Sequence, residues 1–317
     1  MIVAVYLPLI LPALVVPLVR LVCWRLPPAL ASWLVALTSL VLAGCASAAL
    51  ALLMFAALTG VGIFAHLGHW SPAVFRQLDA VHLPIDIAAG LALVVLLVNM
   101  ARLAIGRVRA LRTTHRMARS GDSELMVVED DHPLAHALPG RPGRIVVSTS
   151  MLAVLGPAER RALLAHERAH LANAHHLFVG AVDVLAGLNP LLRPLTRAIR
   201  YTTERWADEV AAGEVGDRSV VAQAVAKAAL ASKANPIDNG VALAATTGPV
   251  PRRVAALLTA PPVRRLWSIV TSPTGLVAAV ACGLLLGSVL ASLDAVTDLH
   301  RVVELAQYAR HATMKWP

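Results

Sequence analysis

Leu163-Leu164-Ala165-His166-Glu167-Arg168-Ala169-His170-Leu171 carries two imidazoles and a carboxylate in the order His-Glu-x-x-His. Residues four apart stand one turn above each other on a helix, so the spacing predicts that His166 and His170 grip one metal ion together. Glu167, one step on, reaches a water on that ion. Two neutral imidazoles, a position left open for water and a carboxylate to take its proton are the parts of a zinc hydrolase. Such a pentapeptide also arises by chance, so its surroundings decide what it means.

The helix opens in Gly156-Pro157-Ala158-Glu159-Arg160, with proline in the first turn and a carboxylate near the positive end of the macrodipole. It is expected to run from 157 to about 178. A catalytic zinc takes three protein ligands, and three sources of the third compete. On one continuous helix His175 and His176 point about 140° and 120° away from His170, at about 100° per residue, and read as surface or interface residues. Asp183 needs a chain reversal and falls in an apolar stretch. Glu204 opens Glu204-Arg-Trp-Ala-Asp208, a second helix after the break at Asn189-Pro190. One turn below it, Asp208 is placed to bond the ring nitrogen of a metal-bound histidine. A solvated charged face is the other reading of an isolated Glu-x-x-x-Asp.

The expected centre is one Zn²⁺ on His166, His170 and Glu204, with Glu167 as general base and Asp208 in support. Tyr201, Arg252 or Arg253 would donate to the oxyanion. Leu125–Glu129 and Arg144–Ser148 read as strands of a small sheet. Arg144 to Thr149 is the candidate edge to which a substrate backbone adds, with an ordinary core strand as the competing reading.

Of the 317 residues 57% are hydrophobic and 15% charged, with mean hydropathy +0.68, the composition of a membrane protein. The formal charge of +9 is nearly all arginine, the lysines being Lys227, Lys233 and Lys315. Arginines clustered beside apolar spans point to anionic lipid headgroups and away from direct nucleic-acid binding. Cys23, Cys45 and Cys282 offer no disulfide framework or thiolate pair.

Four transmembrane helices are expected, at about 2–22, 30–58, 85–105 and within 266–293. The first, with Pro8, Pro12 and Pro17, reads as a retained anchor. The uncharged run from Leu26 to Phe75 admits one span or two short ones. Arg20 and Arg25, then Arg102 to Arg119, and Arg264-Arg265 mark the cytoplasmic side, which sets the N-terminus outside. Residues 106–265, with mixed composition, are expected to form a cytoplasmic α+β domain, and 294–317 a short extracytoplasmic tail. The fold class is thus a mainly α multi-pass membrane protein carrying a metallopeptidase-like domain.

Leu155-Gly-Pro-Ala-Glu159, His166-Glu-Arg-Ala-His170, Asn189-Pro-Leu191, Glu204-Arg-Trp-Ala-Asp208 and Arg253-Val-Ala-Ala-Leu-Leu258 together resemble the gluzincin core of BlaR/MecR bacterial membrane metallopeptidases. That resemblance implies a peptidase in the bacterial inner membrane that cleaves a cytoplasmic repressor, and often itself, in signal transduction, alone or as a homodimer. The penicillin-binding sensor of that family is not expected here, because none of the three lysines has serine three residues before it. Two rivals stand beside it. One is a quality-control peptidase similar to HtpX or the prenyl-protein proteases, in which spans separate the histidine helix from the Glu-x-x-x-Asp helix. The other is a signalling scaffold with a silent metal site.

Overall fold

The computed structural model describes residues 4–59, 61–71, 83–119, 123–233, 249–259 and 271–314. The chain starts with α1 (Leu7–Cys23), α2 (Pro28–Thr59), the short α3 (Gly62–Leu67) and α4 (Leu83–Ala118). Then come β1 (Leu125–Val128), β2 (Ala135–Leu138), β3 (Arg144–Ser148), α5 (Thr149–Val154), α6 (Pro157–Ala172) and α7 (His175–Leu188). A 3-10 turn at Pro190–Leu192 leads into α8 (Arg193–Val215), α9 (Arg218–Lys233), α10 (Pro249–Leu258) and α11 (Pro273–Met314).

Three of these helices are long and apolar enough to cross a bilayer: α2, α4 and, over Pro273–Ala309, α11. Their exposed leucines and valines, such as Leu91 and Val95 on α4 and Leu286 and Leu290 on α11, suit lipid. The shorter α1 has 17 residues, about 25 Å against about 30 Å of hydrocarbon. Against four expected spans, the described residues hold three helices of full length, or four if the bent α6–α7 pair counts as one, beside this shorter apolar helix. Among the described residues of the run from Leu26 to Phe75, one helix is long and apolar enough to span, α2, because no polar turn interrupts it before Thr59. Two helices outrun their expected ends. α4 passes residue 105 without a break and carries Arg107, Arg109 and Arg112 on its own extension, and α11 continues through Asp294 and Asp298 to Met314. Gln307 on that extension donates to the Gly68 carbonyl at 2.8 Å, which ties the segment after α3 to the far end of α11. His82, Arg76, Arg264 and Arg265 lie outside the described residues.

The segment 106–265 does not stand apart from the membrane helices. Val15 and Val19 of α1, Val35 and Leu42 of α2, Val182 of α7 and Leu195 and Ile199 of α8 share one core, each almost wholly buried. Ser32 donates across it to the Thr202 hydroxyl at 2.9 Å. The apolar run after His175 is what builds this union: α7 packs on α2 and α4. At Gly187 the approach to α4 is so close that a Cβ would come within 2.5 Å of Leu103, and Asn99 donates to the Gly187 carbonyl at 2.9 Å.

The sheet has the order β1-β3-β2, with β1 parallel and β2 antiparallel to β3. β3 is therefore the central strand, and every residue from Arg144 to Ser148 is buried. This corrects the expectation that 144–149 offers a free edge: hydrogen bonds occupy both of its sides. β2 lies next to α6 instead. Its Ala-His-Ala-Leu sequence holds no β-branched residue, so pairing and packing, not propensity, make it a strand.

Candidate metal centre

Two helices build the site. The start of α6 is fixed by Glu159, whose carboxylate accepts from Gly156 N–H at 2.8 Å and pairs with Lys227 of α9 at 2.7 Å. Ala162 and Ala165 of α6 meet Ala211 and Ala212 of α8 in one buried cluster. Side chains this small let the two helices approach closely. Glu204 and Asp208, one turn apart on α8, then lie opposite His166 and His170, one turn apart on α6.

The three expected donors converge. His166 Nε2 and His170 Nε2 are 3.1 Å apart, and Glu204 offers Oε2 to the first at 3.4 Å and Oε1 to the second at 3.5 Å. Donors on a tetrahedron about 2.0–2.1 Å from a zinc ion stand about 3.4 Å from one another. The arrangement therefore fits a four-coordinate ion with three protein ligands and one further position. His166, His170 and Glu204 form the group among the described residues that could hold a metal. Asp183 is elsewhere, ion-paired with Arg107 and, at 2.6 Å, with Arg200.

The electrostatics follow from burial and neighbours. His166 Nδ1 lies 3.0 Å from Asp208 Oδ1. Burial pulls the metal-free ring towards neutrality, but Asp208 and Glu204 prevail and raise it to about 10. Burial and the charge on His166 lower His170 to about 4. The metal-free pair thus holds one proton near neutral pH, on His166. Burial would raise the Glu204 carboxyl, yet contact with His166 and with Arg253 holds it well below the usual range. Glu167, 8% exposed, is shifted the other way, its carboxyl raised by burial. A raised carboxyl is what a proton-accepting residue near neutral pH needs. The Ala137 N–H of β2 faces the Glu167 carboxylate and favours its ionised form.

Arg253 of α10 has a different place from the one expected. Its guanidinium forks onto Asp208, Nε to Oδ2 at 2.8 Å and Nη2 to Oδ1 at 2.7 Å, while Nη1 meets Glu204 Oε2 at 2.7 Å. It is committed to the two carboxylates that flank the metal position. The other two oxyanion candidates pack on one indole: Tyr201 lies against Trp24 with centroids 4.3 Å apart, and Arg252 lies 4.8 Å over the same ring.

His175, read as a surface or interface residue directed away from His170, is neither on the surface nor directed away. α6 ends at Asn173, Ala174 takes a left-handed conformation (φ 49°), and α7 leaves at 57° to α6. The break turns His175 inward to 2% exposure, with Nδ1 2.9 Å from His170 Nδ1. Asn173 was the one local sign, since Asn favours helix ends. His176 lines a cavity.

Two cavities meet at the triad. The larger, about 1090 Å³, runs between α4 and α7 past Val108, Leu111 and Val184 to Glu167 and Glu204. The smaller, about 200 Å³, lies between β2, α6, α9 and α10 and is walled by residues such as Leu163, Val225, Ala228 and Val250.

A His₂Glu triad, buried at His166 and partly exposed at His170 and Glu204, with an adjacent raised glutamate has the make-up of a zinc metallopeptidase centre. In agreement, the sequence model of Peptidase family M48 matches residues 107–185, from α4 through the His-Glu-x-x-His helix to α7. M48 peptidases are zinc metalloproteases, so this segment is similar to part of a metallopeptidase. Glu204, Asp208 and Arg253 lie beyond the match. No curated protein and no solved structure matches the chain.

Proposed function

We propose that the chain is a membrane-embedded zinc endopeptidase. The observation that carries this reading is the 3.1–3.5 Å convergence of His166, His170 and Glu204 beside the buried Glu167. A zinc ion bound there supplies Lewis acidity for carbonyl polarisation and water activation. Glu167 accepts the proton of the attacking water and delivers it to the leaving amine. Asp208, clamped by Arg253, orients His166. An extended substrate adds to the outer edge of β2, the strand whose Ala137 N–H already reaches Glu167, and one of its side chains enters the smaller cavity.

The substrate is a protein. A cytoplasmic transcriptional repressor, cleaved in signal transduction by a domain of 106–265 on the inner face of a bacterial membrane, is the target that the BlaR/MecR resemblance supports, along with the arginines on and after α4. The M48 match and the apolar larger cavity, walled by the membrane helix α4, favour a second reading: cleavage of membrane proteins in quality control.

The test uses the full-length protein loaded with zinc in lipid nanodiscs. Glu167→Gln should keep the metal and abolish cleavage; Glu204→Ala should lose the metal, whereas Asp183→Ala should retain it. Unchanged processing by Glu167→Gln rejects the peptidase and leaves a scaffold. A proteome compared with and without active enzyme separates the two substrate readings, by whether the new fragments come from soluble DNA-binding proteins or from membrane proteins.

A further inference from the structure

We infer that His175 is a positioning residue for the metal centre: it accepts the Nδ1 proton of His170 and so holds that ring with the Nε2 lone pair turned towards the ion. The inference rests on the zinc reading above. A nitrogen-to-nitrogen contact of 2.9 Å between two imidazoles requires one N–H and one lone pair. His170 Nε2 is the atom that converges with His166 and Glu204, and a ligating nitrogen carries no hydrogen. Its proton therefore sits on Nδ1 and points at His175. Nδ1 of His175 is then the acceptor, and its own proton is on Nε2.

The surroundings of His175 argue against simple space filling. Its Nε2 is buried and has no hydrogen-bond partner among the described residues, a cost that phenylalanine would avoid in the same seat. The nitrogen that is paired is the one facing the ligand His170. The ring is seated by a line of aromatics: it packs on Trp206 at 4.8 Å, Trp206 on Phe178 at 5.9 Å, and Phe178 on Trp33 of α2 at 4.8 Å. The two ligand histidines are thus oriented by different chemistry, His166 by an anionic carboxylate and His170 by a neutral ring. The neutral partner adds no negative charge, leaving the ion a stronger electrophile than a second carboxylate would.

His175→Phe keeps the ring against Trp206 and removes the acceptor. His175→Asn restores an acceptor, because its Oδ1 occupies the place of Nδ1. Zinc affinity is measured by chelator competition on the full-length protein in phospholipid nanodiscs, and the site geometry by the absorption spectrum of the Co²⁺ form. His175→Phe should weaken zinc binding about 10- to 100-fold, alter the Co²⁺ spectrum and lower kcat with little change in KM. His175→Asn should return all three towards the original values. Zinc affinity and a Co²⁺ spectrum unchanged in His175→Phe would overturn the inference and leave the zinc reading intact, whereas an original chain that takes up no zinc would remove the reading itself. Should the variants fail to fold, ¹⁵N-histidine spectra of the unmodified zinc-loaded protein decide: a protonated His170 Nδ1 supports the role, and a metal-bound or unprotonated Nδ1 refutes it.

Discussion

Asp208 Oδ1 stands 3.0 Å from the Nδ1 of His166 and, on its other side, 2.7 Å from Arg253 Nη2. One buried carboxylate therefore joins the histidine helix to α10, although 45 residues separate Asp208 from Arg253. Asp208→Ala removes one of the two carboxylates on the Arg253 guanidinium, which keeps Glu204, as well as loosening His166. The expected result is a loss of about 1–3 kcal/mol in stability and a zinc affinity about 10- to 100-fold weaker. Thermal unfolding with and without metal, and chelator competition, measure the two effects.

Metal and proton compete for His166. With His166 raised to about 10 and His170 lowered to about 4 in the metal-free protein, zinc must displace one proton between those limits. Zinc affinity should rise about tenfold per pH unit across that window, and calorimetry in buffers of differing ionisation enthalpy should find one proton released per zinc. Because the folded pKa of His166 is raised, its contribution to the stability of the metal-free protein is complete below about 6.5. It should fade as pH climbs through about 10. Zinc-loaded protein should lack that decline, since its histidines carry no such proton.

A left-handed conformation at Ala174 costs about 1 kcal/mol for a residue with a Cβ. Ala174→Gly should stabilise the fold by up to that amount, less the entropy glycine loses on folding, with zinc binding unaltered. Ala174→Val should destabilise it and weaken zinc by withdrawing His175 from His170. Melting temperatures paired with zinc titrations distinguish the two.

Ala228 of α9 lines the smaller cavity. A cavity of about 200 Å³, aliphatic on the side away from the triad, accommodates a leucine- or phenylalanine-sized side chain. Ala228→Leu should shift preference beside the scissile bond from large aliphatic or aromatic residues to glycine and alanine, by about tenfold or more. Cleavage-site profiling of a peptide mixture reads this directly, and an unmoved profile would take the cavity out of substrate recognition.

The parts of the site legible in the chain were those that helical periodicity alone decides: His166 against His170, and Glu204 against Asp208. Each is an i, i+4 pair on a helix with clear start signals. His175 escaped because its direction depends on whether the helix continues past Asn173, and a non-glycine residue in the left-handed region is a tertiary decision that Ala174 does not announce. Arg253 was one of three candidate donors to the oxyanion, and its fork onto Asp208 is a long-range pairing with no local signature. Among the strands, Arg144–Ser148 showed itself by Ile-Val-Val, while β2 is a strand through its neighbours and its sequence is silent. The membrane helices were visible from hydropathy, but their ends were not. The fourth span was expected to end by residue 293, whereas a helix can carry residues such as Asp294 and Asp298 on without breaking.

The core shared by Val15, Leu42, Val182 and Ile199 has a practical consequence. Residues 106–265 expressed without α1 and α2 would lay bare the apolar sides of α7 and α8, and such a fragment should precipitate instead of yielding a soluble enzyme. Biochemistry on this protein has to begin with the whole chain solubilised in detergent or lipid. Inhibitors reaching the triad from the α4–α7 side will have to match a cavity lined mostly by apolar side chains.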